Sequence, residues 1–119
     1  GAARLRRDRG RLVAAIDGDP TLPDVISPEA VRLMTQEMPD HQFSLGWNYT
    51  PNGRPWIRTG SLVGTSAIVL RYPDGECWVF ITNTSTWKGH KFSKDTMALF
   101  EKLRKRFGSK LPERNLFVK

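Results

Sequence analysis

Apolar and polar positions along this chain follow two different periods. In residues 3–16, Leu5, Leu12, Val13 and Ile16 share one broad helical face, with arginines outside it. Gly10 weakens that helix by about 1 kcal/mol, and Asp17-Gly18-Asp19-Pro20 ends it. A second helix is predicted over 27–38. Ser27 suits the N-cap, Pro28 the first helical position and Glu29 the positive end of the dipole. Ala30, Val31, Met34 and Met38 give it an apolar face, and Pro39 stops it.

The middle of the chain changes to strand character. Residues 43–49 are rich in aromatics and read as a strand, followed by a turn at Asn52-Gly53. Further strands are predicted over 56–61, 66–72 and 77–82, separated by Gly64 and by Pro73-Asp74-Gly75. Connections this short favour antiparallel pairing. The near-continuous apolar runs suit central strands covered on both faces. A last helix is predicted over 93–107, capped by Ser93 and closed by Gly108. Met97, Phe100, Leu103 and Phe107 repeat along it at helical spacing. The expected fold is α+β in a single domain of residues 1–119. Two N-terminal helices precede an antiparallel sheet of about four strands (43–84), with a C-terminal helix packed on it.

Composition narrows the function. The chain has 119 residues, 39% of them hydrophobic and 26% charged, which excludes wholesale disorder. No apolar run reaches the ~20 residues of a membrane span, and no signal-peptide pattern opens the chain. One cysteine, Cys77, excludes an internal disulfide, and with only His41 and His90 beside it no structural zinc set is expected. No cofactor is indicated. The net charge of +7 sits at the ends: residues 1–11 carry +4, residues 102–119 carry +6, and residues 12–101 carry −3. Solvated basic helix surfaces account for this. The rivals are a small basic module that binds nucleic acid or an acidic partner through its termini, and a non-catalytic structural domain.

One stretch carries candidate chemistry. Residues 56–66 read Trp-Ile-Arg-Thr-Gly-Ser-Leu-Val-Gly-Thr-Ser. A strand holding Arg58, Thr59, Gly60 and Ser61 offers a cation for a carboxylate, a hydroxyl, and a small residue that admits a ligand. Trp56 could stack on a substrate beside them. Asn48-Tyr49-Thr50 and Asn83-Thr84-Ser85 match the glycosylation sequon.

The order of these motifs resembles the C-terminal portion of the penicillin-binding-protein-like serine hydrolases. That superfamily includes class C β-lactamases, D-alanyl-D-alanine carboxypeptidases and related esterases. Its members carry Lys-Thr-Gly or His-Thr-Gly on a strand lining the active site, where this chain has Arg58-Thr59-Gly60. The preceding Phe43-Ser44-Leu45-Gly46-Trp47 is similar to the family's strand before the triad. The stretch from Asp74-Gly75-Glu76 to Asn83-Thr84 is similar to its following hairpin. Residues 12–34 resemble the helices before that sheet.

The resemblance implies a partial β-lactamase/transpeptidase-like fold in a C-terminal segment of a larger, bacterial, cell-envelope or periplasmic enzyme. Arg58, Thr59, Gly60, Ser61 and Trp56 would then bind substrate. The Ser61 N–H would join an oxyanion hole, a donor worth about 3–4 kcal/mol in a transition state. A guanidinium does not deprotonate, so Arg58 keeps an anion-binding role and no proton relay. The family's nucleophilic Ser-x-x-Lys and its Tyr motif precede this region. The one formal match, Ser85-Thr86-Trp87-Lys88, does not head an apolar helix and reads as coincidence. The isolated chain is therefore expected to be inactive. Its partners would be the parent's N-terminal catalytic region and a small amide or ester substrate. Apolar surface left uncovered is expected to drive self-association or strand swapping.

Overall fold

A computed structural model describes residues 12–18, 23–36, 44–84 and 87–110. These residues form an α+β arrangement with a three-stranded antiparallel sheet in the order β1-β2-β3. The strands are β1 (Trp56–Leu62), β2 (Thr65–Arg71) and β3 (Cys77–Thr82). Two helices flank them in sequence, α1 (Pro28–Thr35) and α2 (His90–Phe107), and a 3-10 turn follows at Gly108–Lys110. Of the predicted helix over 3–16, residues 12–14 are helical and residues 3–11 lie outside the described residues. No helix among the described residues is long and apolar enough to cross a membrane.

Local chemistry explains most boundaries. The Ala30 N–H donates to Ser27 Oγ at 3.2 Å, the N-cap bond expected at the head of α1. Helix α1 stops at Thr35, short of the predicted Met38, which lies outside the described residues. Gly64 (φ +79°) and Gly75 (φ +89°) occupy the left-handed positions of the two hairpin turns, where a Cβ is disfavoured.

Among the described residues, the predicted strand over 43–49 forms no strand at 44–49, so the sheet has three strands and not the expected four. Gly46 takes φ +82° and folds the chain back, so Ser44 bridges Trp47. Tyr49 bridges Ile57, and Asn48 bonds Ile57 and Thr59 beside it. Phe43 lies outside the described residues.

Helix α2 begins at His90, one turn before the predicted Ser93 cap. Backbone bonds from Lys91 N–H to Lys88 O and from Phe92 N–H to Gly89 O lead into it, and Phe92 packs edge-on against Phe80. That contact rewards the earlier start. Gly108 does not close the helix in a left-handed turn. It stays right-handed (φ −55°), its N–H bonds Arg104 O, and the 3-10 turn continues from it.

Two apolar clusters hold the sheet, one on each face. Ile68, Leu70 and Tyr72 pack with Phe100 of α2, flanked by Ile57, Trp78, Phe80 and Met97. On the other face Val69 meets Val13 and Trp47, flanked by Trp56, Cys77 and Val79. Covered on both sides, β2 buries residues 68–71, as its continuous apolar run implies.

Candidate functional site

Strand β1 carries the Arg-Thr-Gly-Ser segment, and the pleat divides its side chains. Arg58 pairs with Val69 and Gly60 with Ala67, while Thr59 pairs with Ile68 and Ser61 with Ser66. Alternation therefore puts Arg58 and Gly60 on the Trp47 face, and Thr59 and Ser61 on the α2 face. The four side chains do not converge on one point.

What the segment shares is an edge. Leu62 and Thr65 close a two-residue hairpin, so the even-numbered residues of β1 exchange bonds with β2. The odd-numbered residues turn their N–H and C=O outward. Ile57 shows this directly: its N–H donates to Tyr49 O, and its carbonyl accepts from Asn48 N–H, both at 2.8 Å. The Thr59 N–H donates to Asn48 Oδ1 at 2.7 Å. The same parity turns the Ser61 N–H toward the edge beyond Asn48.

Arg58 is exposed and forms no ion pair among the described residues. Gly60 is exposed too, and a Cβ built there would meet nothing within 4 Å. Open space at Gly60 thus adjoins the outward Ser61 amide, and the exposed Arg58 lies three residues before it on the same strand. Trp56 is engaged in packing. Trp47 meets it edge-on at 5.5 Å between centroids, and the Arg71 guanidinium lies 5.1 Å from its ring.

Asn48 was legible in the sequence only as part of a sequon. Its role as an acceptor for β1 has a faint sequence signal, a short amide side chain beside a turn and ahead of a strand. Leu62 and Val63, at the tip of the same hairpin, are 77% and 101% exposed.

His90 is exposed at the start of α2; His41 and Ser85 fall outside the described residues. Lys88 lies 3.9 Å from Asp95. The Cys77 thiol is pushed up to about 11, first by burial and then by Asp17, with Arg71 opposing. It is protonated at neutral pH and a poor nucleophile.

A groove of about 300 Å³ is lined by Glu76, Glu101, Arg104, Lys105 and Gly108. Its carboxylates are occupied. Glu76 Oε2 accepts from Trp78 Nε1 at 3.0 Å and from Arg104 Nε at 2.7 Å, and Glu101 accepts from the Tyr72 hydroxyl at 2.8 Å. Burial and then the bond to Glu101 raise the Tyr72 pKa, so its hydroxyl stays a donor. Arg104 also bonds Asp74 and stacks 4.2 Å from the Tyr72 ring. This network ties the β2–β3 turn to α2.

No family model, curated protein or solved structure matches the chain. The edge of β1 at Ser61, beyond the stretch that residues 48–49 engage, is the candidate site, on the strand that carries the exposed Arg58.

Proposed function

We propose that this chain is the C-terminal sheet segment of a β-lactamase-like serine hydrolase that performs acyl transfer on a small amide or ester. β1 supplies the substrate-binding strand, with Arg58 binding an anionic group and the Ser61 N–H donating to the developing oxyanion. The nucleophile and proton shuttle come from the parent's N-terminal region, and the setting is the bacterial cell envelope. The observation that carries this reading is the outward Ser61 amide on the strand that also holds Arg58, which is exposed and forms no ion pair among the described residues. The sequence of elements, a three-strand meander followed by a helix on its face, is compatible with it.

The pure chain is expected to turn over neither a chromogenic cephalosporin nor a p-nitrophenyl ester. An oxyanion donor without its nucleophile leaves only residual catalysis. Turnover that disappears in Ser85→Ala would overturn the proposal and promote Ser85 and Lys88 to the catalytic pair. A Ser-x-x-Lys followed by a Tyr motif, encoded upstream of Gly1, is the expected genetic finding.

A second reading rests on α2. Lys91, Lys94, Lys102, Lys105 and Arg106 are exposed and form no ion pair among the described residues. Unpaired cations along a helix suit a polyanion. A gel shift on duplex DNA at low salt, lost when Lys102, Lys105 and Arg106 become Ser, would favour it. Absence of any shift would remove it.

A further inference from the structure

β3 is an edge strand: β2 pairs along one side, and no described segment pairs along the other. The strand itself carries none of the usual protection. Cys77–Thr82 contains no charge and no proline, and it pairs with β2 without a bulge. The Tyr72 N–H donates to Glu76 O, which fixes the ladder's parity. Trp78, Phe80 and Thr82 therefore exchange bonds with β2, and the backbone groups of Cys77, Val79 and Ile81 point outward. Three N–H and three C=O groups thus face away from the sheet at even spacing. All six residues of β3 are half-buried.

We infer that the partner of this edge is the same edge of a second copy, paired antiparallel about a two-fold axis at Val79. This register satisfies every outward group. Val79 exchanges two bonds with the partner's Val79, and Cys77 exchanges two with the partner's Ile81, as Ile81 does with the partner's Cys77. The register also preserves the faces, because residues of the same parity meet and both apolar clusters continue across the axis.

Charge favours the same choice. The positive charge that makes copies of this chain repel one another lies at its two ends, residues 1–11 and 102–119. Residues 72–87 are different, holding two acids and no Lys or Arg. In this register Glu76 lies opposite the partner's Thr82, so no like charges oppose each other. The two-fold closes the assembly, since the far edge of the sheet is engaged at Ile57 and Thr59 by residues 48–49. The result is a dimer with a six-stranded sheet.

Sedimentation equilibrium of the full chain is expected to give a dimer. Ile81→Cys, with Cys77 retained, is expected to form a covalent dimer under mild oxidation. A directly hydrogen-bonded antiparallel pair places its Cα atoms about 5.5 Å apart, within disulfide reach. Wild type should not cross-link, because its two Cys77 residues are offset by four residues, about 14 Å along the strands. Val79→Pro removes an outward N–H that β2 does not use, and is expected to yield a monomer with an unchanged far-ultraviolet spectrum. If that variant unfolds, the Ile81→Cys cross-link still decides. A monomer at all concentrations, fibres in place of a closed dimer, or Ile81→Cys cross-linking no faster than wild type would each overturn the inference. Pairing of the edge with a strand of another protein would appear as the first of these.

Discussion

Arg71 and Asp17, 54 residues apart in sequence, meet through Nε and Oδ2 at 3.0 Å with side chains only 10% and 4% exposed. The pair joins the end of β2 to the N-terminal segment, and Arg71 also lies against Trp56. Removing one partner leaves a buried charge facing a group that no longer balances it. Asp17→Asn is expected to cost about 3 kcal/mol, read from the urea midpoint. Adding Arg71→Met should recover much of that loss, because the uncompensated charge goes with it. Equal loss in the single and double variants would show that the pair is not coupled.

The Cys77 thiol links stability to alkaline pH. Its pKa is about 11 in the folded chain against an ordinary 9.0, so the folded state holds the proton more tightly. This contribution is complete below about pH 9. It falls as pH rises through the window to about 11, by roughly 2 kcal/mol. The shift on Tyr72 has the same sign, with its loss beginning above its ordinary value of 10.0. Urea titrations at several pH values should show this decline, and Cys77→Ala should flatten it between pH 9 and 10. An unchanged slope in that variant would assign the decline to other groups.

Asn48 fastens the edge of β1 through Thr59. Asn48→Ala leaves the Thr59 N–H without its acceptor and is expected to cost about 1–2 kcal/mol. Hydrogen exchange should quicken at the Thr59 amide while the Val69 amide, on the central strand, keeps its protection. Uniform acceleration across the sheet would indicate global destabilisation.

The cap of α1 offers a smaller, local test. Ser27→Ala is expected to lose about 1 kcal/mol, and Ser27→Asp to retain most of it, since either oxygen can accept the Ala30 N–H. Equal stability of wild type and the Ala variant would show that the cap contributes nothing.

Features written in neighbouring residues were readable before the fold was known. Ser27-Pro28-Glu29 marked the head of α1, Pro73-Asp74-Gly75 marked a turn, and the β3 bounds matched to the residue. Residues 44–49 misled because their aromatic content outweighed Gly46, whose positive φ reverses the chain. Ser93 looked like a cap because the packing of Phe92 on Phe80 is not visible locally. Arg104 read as a dipole cation, whereas it binds Asp74 and Glu76 across the β2–β3 turn. At the candidate site, the strand was legible and so was its alternation of faces. Its open edge was not, because that depends on hairpin register and on Asn48, 11 residues away from Thr59.

The outward turn of the Ser61 amide also sets what genetics can detect there. A main-chain donor leaves no mark on residue identity, so Ser61 can drift to Ala, Thr or Val while the N–H stays in place. An alanine scan would pass over the position as silent. Ser61→Pro is the informative change: it deletes the donor, and β1 is an edge strand whose ladder to β2 does not use that N–H. Sequence comparison among future relatives should therefore weigh the spacing of Arg58, Gly60 and the hairpin at Gly64 above the identity of residue 61.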